Sequence, residues 1–189
     1  MTHTEASLQT KMALSASLKK FMEKKPLKKI TVSEIIADCN VNRKTFYYHF
    51  EDIYALLKWT LEQEAIDVAR EFDVLSDYDK LLEFVISYVK KNSHILNCAY
   101  DSIGRDELKR FLYNDFVSIV GQTIARCELQ NDIQISDGFR EFLTNFFTEA
   151  IAGMLVNSFK TRRDIDVEEI SGYVRALVLS LPDVLRRGC

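Results

Sequence analysis

The chain contains few residues that interrupt a helix. Only 2 prolines and 6 glycines occur in 189 residues, and no stretch alternates apolar and polar residues as a half-buried strand does. Hydrophobic residues make up 47% of the chain, which excludes an intrinsically disordered protein and is enough to form a packed core. These features predict an all-α globular protein, with one domain or two small domains that share a core.

Signals for secretion and membrane insertion are also missing. The first ten residues, MTHTEASLQT, contain no apolar core of a signal peptide, and no run of about 18 apolar residues occurs. No CxxC pair occurs among the four cysteines, which are Cys39, Cys98, Cys127 and Cys189. We therefore expect a cytoplasmic protein with reduced cysteines that act as small buried apolar residues.

Signatures of catalysis and of metal binding are weak. His49 lies next to Tyr48 and near Asp52, but these residues sit on a short helix and its exit, without a nucleophile or a glycine-rich phosphate loop. His94 and Cys98 are four residues apart and could offer two metal ligands, but no further cysteine or histidine is near them in the sequence. We therefore predict no enzymatic activity, no cofactor and no metal.

Charge is distributed unevenly along the chain. The net charge is −3, but residues 1–50 hold nine Lys or Arg against four Asp or Glu, which gives +5 there and −8 in the remainder. A solvated lysine-rich helix would explain basic residues anywhere, but here they gather beside an aromatic segment. A basic N-terminal segment followed by an acidic remainder indicates that the N-terminal segment binds a polyanionic partner.

Residues 33–49 have the pattern of a helix, a three-residue turn and a second helix. A first helix is predicted from about Thr4 to Lys24, and Pro26 ends it. Asn40 tolerates the left-handed conformation that the turn requires, and Asn42 is a good N-cap for the helix that follows.

The segment NVNRKTFYYHF, residues 40–50, divides its aromatic residues between two faces. Phe46 and Phe50 share one face and are expected to pack on the first two helices. The opposite face carries cations and phenolic hydroxyls, from Arg43, Lys44, Tyr47 and Tyr48. Such a face suits the DNA major groove, where cations hold phosphates and polar groups reach base edges. Short helix pairs also occur in ordinary helical proteins, so the pattern favours DNA binding without requiring it.

The remainder of the chain is predicted to be helical. A long amphipathic helix follows Phe50, with one apolar stripe formed by Ile53, Leu57, Leu61, Ala65, Val68 and Phe72. Further helices are predicted over about 78–91, 94–100, 105–127 and 139–160. A last helix begins at a capping box, Asp166 to Glu169, and is expected to end near Ser180 because Pro182 follows.

Residues 30–57, ITVSEIIADCNVNRKTFYYHFEDIYALL, resemble the DNA-binding segment of the TetR family of bacterial transcriptional regulators. The resemblance rests on the Ile-Thr-Val start, the Val-Asn turn and the block Thr-Phe-Tyr-Tyr-His-Phe, and it covers residues 8–57. The stretch FYYHFEDIYALLKWTLEQEA is closer to the branch that includes DhaS-like activators of dihydroxyacetone kinase genes. Two positions depart from the family, because many members have Gly at Asn40 and Lys at Ile53. Lys28, Lys29 or Lys44 can replace the phosphate contact that Ile53 lacks.

This resemblance implies a fold and a function. The fold is all-α, with an N-terminal three-helix helix-turn-helix domain, residues 1–51, joined by a long helix to a C-terminal dimerisation and effector domain, residues 52–189. The function is that of a homodimeric regulator of a palindromic operator. The DNA-binding residues carried over by position are Thr31, Ser33, Asn42, Arg43, Lys44, Thr45, Tyr47, Tyr48 and His49.

The last two predicted helices carry more apolar residues than one core-facing stripe needs. The alternative is that they only fill the core of one protomer, but a twofold reader of a palindrome requires a dimer. The predicted interface residues are Phe142, Phe146, Met154, Val174, Leu177 and Leu181.

An effector site is the least defined feature. Family pockets occur on the middle helices, where the candidates are Trp59, Tyr88, His94, Cys98, Tyr100 and Phe111. Residues of these types in such positions are more often ordinary core residues than pocket residues. Regulation by a small ligand and docking of a protein coactivator, as the DhaS-like resemblance implies, both remain open. A closed cavity with convergent polar groups would favour the ligand, and its absence would favour the protein.

Overall fold

A computed structural model of the protein describes residues 3–161 and 167–188, and all regular elements among them are helical. The first elements are α1 (His3–Met22), a 3₁₀ turn (Leu27–Lys29), α2 (Val32–Cys39), α3 (Arg43–His49), α4 (Ile53–Leu61), a π turn (Glu62–Ile66) and α5 (Asp67–Arg70). They are followed by α6 (Tyr78–Lys91), α7 (Ser93–Ile103), α8 (Arg105–Asn131), α9 (Asp137–Thr161) and α10 (Val167–Arg187). The predicted all-α class is confirmed, whereas the predicted capping box at Asp166 lies outside the described residues. Within those residues no helix is long and apolar enough to cross a membrane.

Local sequence signals determine the geometry of α2 and α3. Thr31 caps α2 in a capping box, because its side chain accepts a hydrogen bond from the Glu34 amide and the Glu34 carboxylate accepts one from the Thr31 amide. Asn40 ends α2 in the left-handed conformation, with φ 52° and ψ 41°. Asn42 caps α3 by accepting a hydrogen bond of 2.8 Å from the Thr45 amide. The predicted helix-turn-helix is therefore present.

Replacing Asn40 with alanine is expected to lower the free energy of unfolding by about 1 kcal/mol, because alanine tolerates the left-handed region less well than asparagine. Asn40→Gly is the matched control, since glycine adopts this φ without steric cost. Denaturant titration of the three proteins measures the difference. Equal stability of Asn40→Ala and the wild type would show that the turn relaxes out of this conformation.

One hydrophobic cluster joins the helix-turn-helix domain to the helices that follow it, residues 52–189, which are called the body below. Phe46 on α3 is 0% exposed and belongs to the same buried cluster as Leu14 on α1, Leu56 on α4 and Leu96 on α7. The cluster extends as far as Phe159 on α9. The division into a DNA-binding domain, residues 1–51, and a regulatory domain, residues 52–189, stays a prediction. Buried side chains from both segments share this one core.

A second cluster lies at the other end of the long helices α8 and α9. Its buried residues are Val120, Ile124, Cys127, Ile135, Leu143, Leu181 and Leu185. Leu181, predicted at the dimer interface, is only 6% exposed and packs here inside its own protomer. Leu181 at the interface stays a prediction, although a side chain that fills the protomer core offers little surface to a second copy.

The segment after Leu61 departs from the predicted uninterrupted α-helix. The expected apolar stripe continues through Ala65 and Val68, which are only half-buried, whereas Ile66 and Ala69 are buried. A π turn contains one residue more per hydrogen-bonded turn than an α-helix does. The buried face therefore moves by one residue along the sequence after the π turn.

The predicted end of the last helix near Ser180 is also wrong, because α10 continues through Pro182 to Arg187. Proline removes one backbone donor from a helix but does not prevent its continuation when packing holds both sides. Leu181 and Leu185 flank Pro182 and are both buried in the second cluster. Their burial explains why the helix persists.

Candidate nucleic-acid interface

The outer face of α3 exposes large polar aromatic side chains and cations. Tyr48 is 72% exposed, and Tyr47, Arg43 and Lys44 are also exposed, whereas Phe46 is fully buried beneath them. Burial of Phe46 fixes the helix to the core and leaves this face directed at solvent. An exposed aromatic surface flanked by cations is typical of a binding face rather than of a merely solvated helix.

Arg43 and Tyr47 form one unit on this face. The Arg43 guanidinium lies 5.6 Å from the centroid of the Tyr47 ring and donates a hydrogen bond of 3.4 Å to its hydroxyl. The edge of the Tyr47 ring packs against Phe46, with 5.4 Å between centroids. The cation and the phenol are therefore held in place before any partner binds.

The remaining predicted residues of α3 lie at its two ends. At the first end, the Asn42 side chain accepts hydrogen bonds from the amide and the hydroxyl of Thr45, so these two side chains are engaged in capping the helix. At the other end, His49 is half-buried and its ring lies against Tyr48, with 4.9 Å between centroids. Tyr48 consequently projects furthest from this end of the helix.

A second basic region lies at the start of α2. Thr31 and Ser33 are exposed there, and Lys28 and Lys29 are exposed in the 3₁₀ turn just before them. A helix N-terminus presents unpaired amides, which attract anions, and nearby cations add to that attraction. The carboxylate of Glu34 in the same turn is neutralised by an ion pair with Lys25.

The capping box makes the stability of this region sensitive to acid. The hydrogen bond from Lys25, followed by those from the Thr31 hydroxyl and amide, lowers the pKa of Glu34 from 4.5 to about 2. A carboxyl whose pKa is depressed by folding stabilises the folded state above its unfolded pKa and loses that contribution as pH falls through the folded pKa. We expect the stability difference between wild type and Glu34→Gln to shrink between pH 4.5 and 2.

The midpoint of the Glu34 carboxyl can be followed directly by NMR titration. Lys25→Met should raise this midpoint, because it removes the first of the hydrogen bonds that stabilise the carboxylate. A midpoint near 4.5 in the wild type would contradict the ion pair and the capping box together.

The six predicted pocket residues do not meet in one cavity. Trp59 packs on Phe50, with 5.7 Å between ring centroids, and Lys11 lies above the Trp59 ring. Phe111 lies beneath the Lys58 ammonium in an open groove of about 490 Å³ between α4, α7 and α8. Tyr100 is a half-buried residue packed against the first hydrophobic cluster.

His94 and Cys98 instead touch the backbone of the helix-turn-helix domain. His94 Nε2 lies 2.9 Å from the Met22 carbonyl oxygen at the end of α1, and the Leu27 amide donates a 3.3 Å hydrogen bond to Cys98 Sγ. Both side chains line a second open groove of about 440 Å³. Their partners lie more than 70 residues away in the sequence, so no local pattern could have indicated this role. Within residues 3–161 and 167–188 no group of three His, Cys, Asp or Glu side chains is arranged to hold a metal.

The predicted interface residues on α9 and α10, apart from Leu181, lie at the surface. Phe142 and Phe146 are 59% and 56% exposed and stack on each other, with 5.9 Å between ring centroids. Met154 and Leu177 are similarly exposed, and Val174 is half-buried. Tyr173, also exposed, was not predicted. Exposed apolar side chains of this size and number are typical of an interaction surface.

Comparison with known proteins gives matches to both parts of the chain. Residues 76–180, more than half of the chain, match the family model TetR_C_8, described as a transcriptional regulator C-terminal region. The HTH-type dhaKLM operon transcriptional activator DhaS of Lactococcus lactis subsp. lactis (strain IL1403) is 20% identical over 148 residues, which is 78% of each chain. A solved structure, that of the dihydroxyacetone kinase operon activator DhaS, has a TM-score of 0.73 at 18% identity and covers 93% of this chain and 97% of its own. The fold therefore extends over the helix-turn-helix as well as the body.

Proposed function

Because the chain belongs to the TetR family of transcriptional regulators, we propose that it binds a palindromic operator as a homodimer, with α3 of each protomer in the major groove. The observation that carries this proposal is the division of α3, with Phe46 in the core and Lys44, Tyr47 and Tyr48 exposed. Proteins of this type are DNA-binding regulators and not enzymes. The site of action is the cytoplasm, where bacterial operators are found.

The contacts divide into two groups. On α3, the Arg43–Tyr47 unit and Tyr48 face bases and backbone in the groove, and Lys44 binds a phosphate. Asn42 and Thr45 form the capped start of the helix at the DNA. His49 packs against Tyr48 and supports it. On α2, Thr31 and Ser33 hold a neighbouring phosphate at the helix N-terminus, with Lys28 and Lys29 beside it. The second group fixes the register of the protein on the duplex and the first reads the sequence.

The exposed apolar surface of α9 and α10 supports the homodimer. Phe142, Phe146, Met154 and Leu177 would lie against the same residues of a second copy across a twofold axis. Two recognition helices related by that axis would face successive major grooves on one side of the DNA. A palindromic operator follows from this symmetry.

A protein coactivator is the effector that the geometry supports better than a small inducer. The two grooves described above are open to solvent. Five of the six candidate pocket side chains are divided between these grooves and the first hydrophobic cluster, and Tyr88 instead lies beside Glu64. The relatives named above are described as operon activators. We propose that this chain also activates transcription rather than represses it. Transcription in a reconstituted reaction, measured with and without the regulator, would distinguish activation from repression.

The function is tested by selecting binding sites from random duplex DNA and titrating the best site against salt. The expected result is a twofold-symmetric site whose log K falls linearly with log[salt], with a slope of about −0.9 for each phosphate neutralised. Enrichment of an asymmetric site, or salt-independent binding, would contradict a dimeric operator reader.

A further inference from the structure

Glu64 links the helix-turn-helix to the body through an ion pair. Its carboxylate binds the Lys19 ammonium, and the two side chains are 31% and 28% exposed. Lys19 lies in the last turn of α1, the helix on which α2 and α3 pack. Glu64 itself lies in the π turn that follows α4. This pair is therefore a directional contact between the DNA-binding helices and the regulatory body.

The same carboxylate also contacts α6. Tyr88 donates a hydrogen bond of 3.5 Å from its hydroxyl to the second oxygen of Glu64. Burial and the negative charge of Glu64 both raise the pKa of Tyr88, so the phenol stays protonated and continues to donate. One carboxylate oxygen of Glu64 therefore contacts Lys19 on α1, and the other contacts Tyr88 on α6.

The π turn that contains Glu64 is an uncommon feature. Such turns are rare, occur mostly as single turns inside α-helices and are found frequently at functional sites. Thr60 and Ser15, whose hydroxyl oxygens are 2.9 Å apart, also join α4 to α1 but involve no residue of α6.

We propose that Glu64 is a positioning residue for operator binding. Through Lys19 it sets the orientation of each helix-turn-helix on the body, and hence the separation of the two recognition helices. Through Tyr88 it makes this separation depend on the position of α6. The inference rests on the proposed function, because a separation matters only to a dimer that reads two half-sites.

The test compares affinity for the complete operator with affinity for a duplex that carries one half-site. Glu64→Gln is expected to lower the ratio of the two affinities by about three- to tenfold, a size consistent with loss of a partly exposed ion pair. Tyr88→Phe should lower it by a smaller factor, about twofold. The double exchange Lys19→Glu with Glu64→Lys rebuilds the pair with reversed charges and should restore most of the ratio.

The matched control is Asp73→Asn. It breaks another ion pair, with Arg126, that joins α8 to the segment after α5 and involves no DNA-binding helix and no residue of α9 or α10. This variant should leave the ratio unchanged. Half-site affinity reports whether each variant still has a folded helix-turn-helix.

The outcomes separate the two proposals. If Glu64→Gln changes full-site and half-site affinity equally, or changes neither, Glu64 does not position the domains and the inference is overturned while the proposed function stands. If the wild type itself shows no preference for the complete site, the dimeric operator reader fails and the inference fails with it. Absence of rescue by the double exchange would show that the pair is not the connecting contact.

Discussion

Replacing Phe146 with glutamate is expected to convert the proposed homodimer into monomers and to lower affinity for the complete operator by about a hundredfold or more. Phe146 is exposed in the isolated protomer and stacks on Phe142 at the centre of the proposed interface. A carboxylate there would be buried without a partner and would face its own symmetry mate, which is strongly unfavourable. Analytical ultracentrifugation and operator titration measure the two effects.

Leu129→Glu is the matched control for that experiment. Leu129 is 84% exposed in the last turns of α8, outside α9 and α10, and the same substitution there should leave the dimer intact. Unchanged helical content by circular dichroism would show that both variants fold. A Phe146→Glu protein that still sediments as a dimer would place the interface on another surface.

Replacing Lys44 with alanine is expected to lower operator affinity by at least about tenfold and to reduce the steepness of the salt dependence by about one phosphate per protomer. Lys44 is exposed on α3, so its loss should weaken binding to all sequences without changing the melting temperature. Fluorescence titrations at several salt concentrations give both the affinity and the slope.

Lys90→Ala removes the same charge from an exposed position on α6, outside α2 and α3, and should change neither quantity. Equal salt slopes for Lys44→Ala and the wild type would remove Lys44 from the phosphate contacts. The proposed orientation of α3 would then have to be revised.

The helix-turn-helix could be predicted from the sequence because its geometry depends on neighbouring residues. Thr31, Asn40 and Asn42 cap or end helices through contacts within three or four positions. The family resemblance read from residues 8–57 is confirmed by an independent match over residues 76–180. Two separate parts of the chain thus lead to the same family.

The π turn and the continuation of α10 could not be predicted in the same way. The helix around Pro182 packs in the second hydrophobic cluster, whose other members are distant in sequence, and no glycine or proline within residues 62–66 marks the π turn. Periodicity assumes a constant helical geometry, so a single inserted residue shifts every later position. Proline statistics describe isolated helices and do not include packing.

The candidate sites differ in how far the sequence could specify them. Phe142 and Phe146 were predicted from an excess of apolar residues, and their exposure agrees with that excess, while Leu181 was not distinguishable from them by type. The pocket candidates were aromatic or polar residues on helices that also build the core. Residue type alone does not separate a pocket lining from a core contact, so the dispersion of these six residues required the structure.

The single cluster that runs from Leu14 to Phe159 has a consequence for genetic studies of this regulator. A cavity in that cluster, even one far from the DNA, would destabilise the helix-turn-helix together with the body and expose the whole chain to proteases. Screens for loss of regulation would therefore recover many alleles that lower the amount of the protein, rather than alleles that alter DNA binding or the response to an effector. Measuring the cellular level of each variant protein would separate such alleles from those that alter DNA contacts or the response to an effector.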